Sequence, residues 1–134
     1  LYWEECRQLI SILPPHIHVN YLGSVNVRKN PVSFSMYHFM VLPTLHENYG
    51  HAIAEALDSG CPVLISDHTP WNEAEIKNAG FVRPLTPEAW AKALQIAIEM
   101  DESTYRKMAT DTRQYFVEKV DYQQLIQQYA LLFS

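Results

Sequence analysis

Apolar residues recur along this chain at two different spacings, and the switches between them predict the order of elements. From Tyr2 to Leu13, Trp3, Cys6, Leu9, Ile10 and Leu13 fall three and four residues apart and form one apolar helix face. Pro14-Pro15 stops that helix, because proline lacks the N–H and crowds the preceding turn. Ile17, Val19 and Tyr21 then alternate with His18 and Asn20 ahead of Gly23, the period-two pattern of a strand. After Tyr37, the run His38-Phe39-Met40-Val41-Leu42-Pro43 suits a fully buried strand of a parallel sheet. Gly50 to Ser59 predicts a helix with Ala52, Ile53, Ala56 and Leu57 inward and Gly60 as its C-cap. Pro62 to Ser66 predicts a second buried strand. Thr69-Pro70 predicts the start of another helix, with the hydroxyl as N-cap and proline in the first turn. A short strand over Gly80-Phe81-Val82 follows. Helices are then expected near Pro87 to Met100, Ser103 to Glu118 and Tyr122 to Phe133.

Strands alternating with helices argue an α/β fold with a parallel sheet flanked by helices. The 134 residues fit a single domain or part of one, and 48% hydrophobic against 19% charged residues supplies a core. The net charge of -5, with no basic stripe, excludes nucleic acid as a partner. Cys6 and Cys61 lie too far apart for a zinc pattern or a disulfide framework, so free thiols in a reducing cytoplasm are expected. No segment reaches the roughly 20 apolar residues of a spanning helix. The chain opens on Leu1-Tyr2-Trp3-Glu4-Glu5, without an initiator methionine or a signal-peptide pattern and already inside a helical repeat. It is therefore expected to be cut from something longer.

Ligands of open α/β sheets bind beyond the carboxyl ends of the strands, which directs attention to Thr44 through Glu55. Unpaired amides from about Tyr49 to Ala52 would point out of the helix start, and the dipole there favours an anion such as a pyrophosphate. Gly50 removes a side chain where a ligand would approach the backbone. Glu47 precedes the helix and Glu55 lies on it. Were both helical, eight steps of ~1.5 Å would separate them by ~12 Å along the axis. Glycosidase carboxyl pairs work at roughly 5–9.5 Å, so a long ligand fits this pair better. A sugar, a pyrophosphate and a ribose in series have that layout.

The stretch Leu42-Pro43-Thr44, with Glu47, Tyr49-Gly50, Glu55-Ala56-Leu57, Gly60 and Pro62-Val63, resembles the donor-site signature of group 1 (family 4) retaining glycosyltransferases of GT-B architecture. Ser66-Asp67 and Thr69-Pro70-Trp71 are similar to a variant found among bacterial surface-polysaccharide transferases. The resemblance runs from Ile17 to Leu94. It implies a Rossmann-like sheet forming part of the C-terminal, donor-binding half of such an enzyme. It also implies roles: Glu47, Asn48, Tyr49 and Gly50 at the donor sugar, the amides of His51 and Ala52 at the pyrophosphate, and Glu55 at both ribose hydroxyls. No metal or other cofactor is implied. The intact enzyme would move a hexosyl group from a nucleoside diphosphate sugar to a saccharide or lipid-linked acceptor. That acceptor would be held by an N-terminal domain expected to lie outside this chain. Peripheral membrane contact of the intact enzyme and a homodimer stay open, and the implied location is the cytoplasm or the inner face of the membrane.

The family's arginine and lysine, which neutralise the departing phosphate, are expected before Leu1. Arg28 and Lys29 follow a later strand and do not take that role. The chain alone is therefore expected to hold part of a donor without catalysing transfer, and the sheet to have an open seam. Two alternatives remain: a non-catalytic module binding a nucleotide sugar or a partner, and a nucleotide-sugar epimerase. A zinc site from His46, Glu47 and His51 fails on spacing, because the zincin pattern needs its second histidine where Gly50 stands. Ser66-Asp67-His68 has triad residue types, but adjacent side chains on a strand end diverge. Trp71 either stacks on a ligand ring or packs on the sheet, packing being the simpler role. Trp90, Leu94 and Ile98 form a core stripe. Leu125, Ile126, Tyr129 and Phe133 form either a second core stripe or, over a terminal helix spanning 119–134, a face for an absent N-terminal domain or a partner.

Overall fold

A computed structural model describes residues 1–25 and 33–134. Arg28 and Lys29 lie outside the described residues. The chain divides into two compact units, Leu1–Val32 and Ser33–Ser134.

In the first unit, helix α1 spans Tyr2–Ser11, and Leu13 N–H closes its last turn onto the Ile10 carbonyl at 3.2 Å. The expected strand at Ile17, Val19 and Tyr21 does not form; residues 16–25 are irregular and largely exposed. Alternating side chains make a strand only where a neighbouring backbone accepts its ladder, and none of the described segments pairs with this one. Tyr21 instead lays its ring against Trp3, with centroids 4.3 Å apart.

The second unit holds a 3₁₀ turn at Phe34–Met36 and a three-stranded parallel sheet. Its strands are β1 (Met40–Leu42), β2 (Val63–Ser66) and β3 (Gly80–Arg83), in that spatial order. Helix α2 (His51–Asp58) connects β1 to β2, and α3 (Pro87–Glu99) and α4 (Glu102–Leu132) follow the sheet. The register pairs Met40 with Val63 and Val63 with Gly80. This is the α/β parallel architecture expected from the alternation. Every residue of β2 is buried, and its side chains divide by the period of a strand. Val63 and Ile65 join Ile53, Leu57, Trp71 and Tyr115 on one face; Leu64 joins Phe81, Ala93 and Met108 on the other. On α2 the buried residues are Ile53, Ala54, Ala56 and Leu57, so Ala54 faces inward and Ala52 outward, one position off the expected stripe.

Three further expectations are corrected. Residues 70–78 form successive turns rather than a helix. Thr69 Oγ1 does accept from Trp71 N–H at 3.1 Å, but the backbone bonds then span three, four and five residues. They run from Ala74 to Trp71, Lys77 to Glu73, and Ala79 to Ala74. Asn78, at φ 55°, reverses the chain into β3, which a regular helix could not do in that space. The two helices expected over 103–133 are one helix of 31 residues, because nothing in Lys119-Val120-Asp121 interrupts the hydrogen-bond ladder. Asp101 caps its start, accepting from Thr104 N–H at 2.7 Å, and that bond holds the Asp101 carboxyl below its ordinary pKa. On α3 the buried residue is Ala93; Leu94 and Ile98 are exposed and line a small apolar cavity with Phe39 and Val41.

Gly80 is where the sheet tolerates no side chain. A Cβ there would lie 1.9 Å from the Val63 carbonyl oxygen, at φ 138°. At Gly60 (φ 75°) the nearest atom would be 3.5 Å away. Gly80→Ala should lower unfolding free energy by ~3 kcal/mol through overpacking and strain, and Gly60→Ala by ~1 kcal/mol through strain alone. Equal losses in urea titrations would contradict this packing of β2 against β3.

Both cysteines are free. Burial pushes the Cys61 thiol from 9.0 up to about 11. A pKa raised in the folded state means that the unfolded chain gives up its proton first. Stability is thus complete below pH 9 and falls as pH rises from 9 towards about 11, by up to ~3 kcal/mol. Cys61→Ala should remove that alkaline slope, measured as unfolding free energy against pH. A slope unchanged by the substitution would place the thiol in water.

Candidate functional site

The sheet delivers one loop, Pro43 to Gly50, from the carboxyl end of β1 to the start of α2. Three contacts fix its path. Ser66, fully buried at the end of β2, donates its hydroxyl to the Thr44 carbonyl at 2.6 Å. Glu47 N–H reaches the His68 carbonyl at 3.3 Å. Trp71 Nε1–H donates to the Tyr49 carbonyl at 2.6 Å. Two of the three run from side chains, Ser66 at the end of β2 and Trp71 beyond it, so the neighbouring strand end holds the loop in addition to the loop's own bonds.

Gly50 is buried and left-handed at φ 82°, and it is the N-cap residue of α2. A Cβ there would come 3.0 Å from Ile53 Cδ1 and 3.3 Å from Trp71 Nε1, so a side chain would crowd both neighbours in addition to straining the dihedral angle that favours glycine. No side chain caps the helix; its first internal bond runs from Ala54 N–H to the Gly50 carbonyl at 3.0 Å. The amides of His51, Ala52 and Ile53 therefore have no acceptor within the helix. His51, Ala52 and Glu55 lie on its exposed side. Glu47 is half-buried before the helix, its Oε1 lying 3.2 Å from the Thr44 hydroxyl. Asn48 Oδ1 lies 2.8 Å from His46 Nε2. The Tyr49 ring packs between His51 and Trp71, at centroid distances of 4.8 and 5.8 Å.

This turn thus offers free amides at a helix start with one carboxylate on each side, and no lysine or arginine between Glu47 and Glu55. Among the described residues no three His, Cys, Asp or Glu side chains come together as a metal site. Asp67 and His68 do sit together, 3.3 Å apart, but Ser66 is turned away to Thr44 and completes no triad with them.

Residues 4–115 match the model of the family described as glycosyl transferases group 1. The chain belongs to this family. Among curated proteins it is similar to the O-antigen chain mannosyltransferase RfbU of Salmonella typhimurium, at 24% identity over 105 residues. That match covers 78% of the chain and 30% of the relative, so the chain spans less than a third of the length of the curated relative it matches. No solved structure matches it.

For a group 1 glycosyltransferase, the motif residues Glu47 to Glu55 stand at the carboxyl end of the sheet, as the strand-end rule requires. What sequence reasoning missed is the support behind them. Trp71 is fully buried and packs, with its N–H on the loop, rather than offering a face to a ligand. A buried indole must find an acceptor, but nothing in the sequence indicates a carbonyl 22 residues earlier. Lys119 is the other missed residue. Its ammonium lies 4.5 Å from the Trp71 ring centre and donates to the Pro70 carbonyl. Burial lowers its pKa, against a smaller opposing effect of Glu73.

A cavity of about 430 Å³ opens on the far side of these residues, lined by Glu73, Tyr115, Lys119, Tyr122 and Ile126 among others. It shares no lining residue with the Glu47–Glu55 segment. The Tyr115 hydroxyl at its wall is buried without a hydrogen-bond partner, and burial raises its pKa. Among the described residues no helix is long and apolar enough to cross a membrane.

Gly50→Ala should cost ~2 kcal/mol of stability, from left-handed strain together with the Ile53 and Trp71 contacts. Chemical denaturation of wild type and variant measures this, and a variant as stable as wild type would mean the turn is not left-handed at Gly50.

Proposed function

We propose that this chain is the donor-binding part of a retaining glycosyltransferase that moves a hexosyl group from a nucleoside diphosphate sugar to a saccharide or lipid-linked acceptor. In that reaction the sugar's bond to the diphosphate breaks and a bond to an acceptor hydroxyl forms. The reading rests on one observation above all: the unpaired amides at the start of α2 stand at the carboxyl end of β1, between Glu47 and Glu55. Helix-start amides suit a diphosphate. Glu47, with the backbone of Asn48, Tyr49 and Gly50, serves the sugar; His51 and Ala52 serve the phosphates; Glu55 accepts from the ribose hydroxyls. No metal is needed in this scheme. With no lysine or arginine in the segment, the charge on the departing diphosphate is neutralised by groups elsewhere in the intact enzyme.

The exposed apolar residues Leu125, Ile126 and Tyr129 of α4, with Phe133 just after it, provide the contact with the acceptor-binding domain. The intact enzyme works in the cytoplasm, in surface-polysaccharide synthesis, and meets a lipid-linked acceptor at the inner face of the membrane. The likeness to an O-antigen mannosyltransferase adds nucleoside diphosphate mannoses to the donors to be tried.

Calorimetry with uridine and guanosine diphosphates and their sugars, on full-length wild type and Glu55→Ala, tests the assignment. Loss of charged hydrogen bonds to the ribose should weaken diphosphate binding by roughly 1–3 kcal/mol. Because Glu55 is exposed, the melting temperature should stay near that of wild type. Identical affinities for the two proteins would remove Glu55 from the ribose.

A further inference from the structure

We infer that Trp71 is a positioning residue for donor binding: its indole N–H fixes the Tyr49 carbonyl and thereby the direction of the free amides at the start of α2. The inference rests on the donor-site reading above and extends it to a residue that touches no donor.

The peptide unit that joins Tyr49 to Gly50 is the last before the helix. Its carbonyl oxygen is held at 2.6 Å by Trp71 Nε1, and its amide belongs to left-handed Gly50. A left-handed residue lacks the local hydrogen bonds that orient a helical peptide, so an external donor sets its rotation. The helix's own bonds, starting with Ala54 N–H to the Gly50 carbonyl, hold the amides of His51 and Ala52 in line, so anchoring the peptide before it sets where that line begins and where it is aimed.

The indole can act as a fixed point because it is itself immobilised. It is fully buried. Phe116 stacks on it with 16° between planes, and Tyr115 meets it edge-on at 89°. The Lys119 ammonium sits over it at 4.5 Å, and Thr69 Oγ1 accepts from its backbone N–H. Three of these groups come from α4 and hold the ring, while Thr69 holds its backbone, so most of the grip comes from outside the donor turn, whose Tyr49 ring meets the indole at 5.8 Å. A tryptophan that merely filled the core would need the ring contacts but not an N–H aimed at this one carbonyl.

Full-length protein carrying Trp71→Phe keeps most of the ring packing and loses the donor. Titrated with uridine diphosphate and guanosine diphosphate, it should bind at least tenfold more weakly than wild type. In wild-type protein labelled with 15N-tryptophan, the Trp71 indole resonance should shift on titration and saturate at the Kd found by calorimetry. That resonance is assigned by its Overhauser contacts to the Tyr49 and Tyr115 rings, so the measurement stands even where the variant fails to fold. A silent indole resonance in a wild type that binds the nucleotide overturns the inference and leaves the donor site standing. So does a folded Trp71→Phe protein that binds as tightly as wild type. Absence of binding by the wild type removes both.

Discussion

Strand β2 is paired on both edges and covered on both faces, and that double enclosure sets the position of everything that matters in this domain. Its three apolar residues have to be Val, Leu and Ile or something close, because each face of the strand meets a different core cluster. Its last residue is no longer free to be apolar. Ser66, with no exposed surface, is in the layer where the core ends, and its hydroxyl finds the Thr44 carbonyl of the neighbouring strand end. A buried hydroxyl without that acceptor would cost free energy, so the same bond that satisfies the core also ties down the first residue of the donor loop. Beyond it the chain turns through Asp67 to Pro70 and returns Trp71 to the core. The loop is thus suspended at three places, Thr44 from the end of β2 and Glu47 and Tyr49 from the segment that follows it.

The electrostatics of the turn are unusual for a diphosphate site. It offers amides, a helix dipole and His51, but two carboxylates and no fixed cation within the segment. A helix N-terminus contributes only ~0.3–1 kcal/mol towards an anion at an exposed position. Glu47 and Glu55 would oppose a dianion unless each is occupied by hydroxyl donors and held at a distance from the phosphates. The scheme therefore gains most from a ligand with hydroxyls at both ends, and still something from a nucleoside diphosphate, whose ribose reaches one of them. A free diphosphate offers none. That is a physical reason for the pairing of carboxylates with a sugar and a ribose, and it favours an extended nucleotide sugar over a bare anion.

Much of this was legible in the sequence, unevenly. β1, β2 and β3 followed from short apolar runs bounded by proline and glycine, and α2 from its spacing with Gly60 behind it, but β1 is an edge strand with Val41 exposed rather than the fully buried strand expected. The motif from Glu47 to Glu55 located the loop without any structure. The failures have a common cause. Period-two alternation at Ile17, Val19 and Tyr21 states which side chains would share a face, but not whether a partner strand exists. The Thr69-Pro70 signal correctly reported a capped turn, and the need to bury Trp71 and enter β3 at Gly80 overrode propagation into a helix. The apparent gap at Lys119 to Asp121 was a lysine standing in the stripe that runs on through Tyr115, Tyr122 and Ile126, not a break in the backbone. Long-range hydrogen bonds such as Trp71 to Tyr49 leave no periodic trace at all, since they depend on the packing of three elements at once.

Exposure separates two kinds of residue at this site. Glu55 is on the water side of α2, where loss of its carboxylate leaves the fold nearly untouched. Gly50 and Trp71 are buried, so changing either disturbs the core and the direction of the amides together. The buried pair carries no charged side chain, yet the geometry of the turn is set there. Lys119 does carry a charge, but it is spent on the indole face and on the Pro70 carbonyl rather than on the loop. A domain built this way keeps its recognition groups replaceable at the surface and its precision in the core. The exposed or half-buried side chains of Glu47, Asn48 and His51 can then be exchanged without rebuilding the support beneath them.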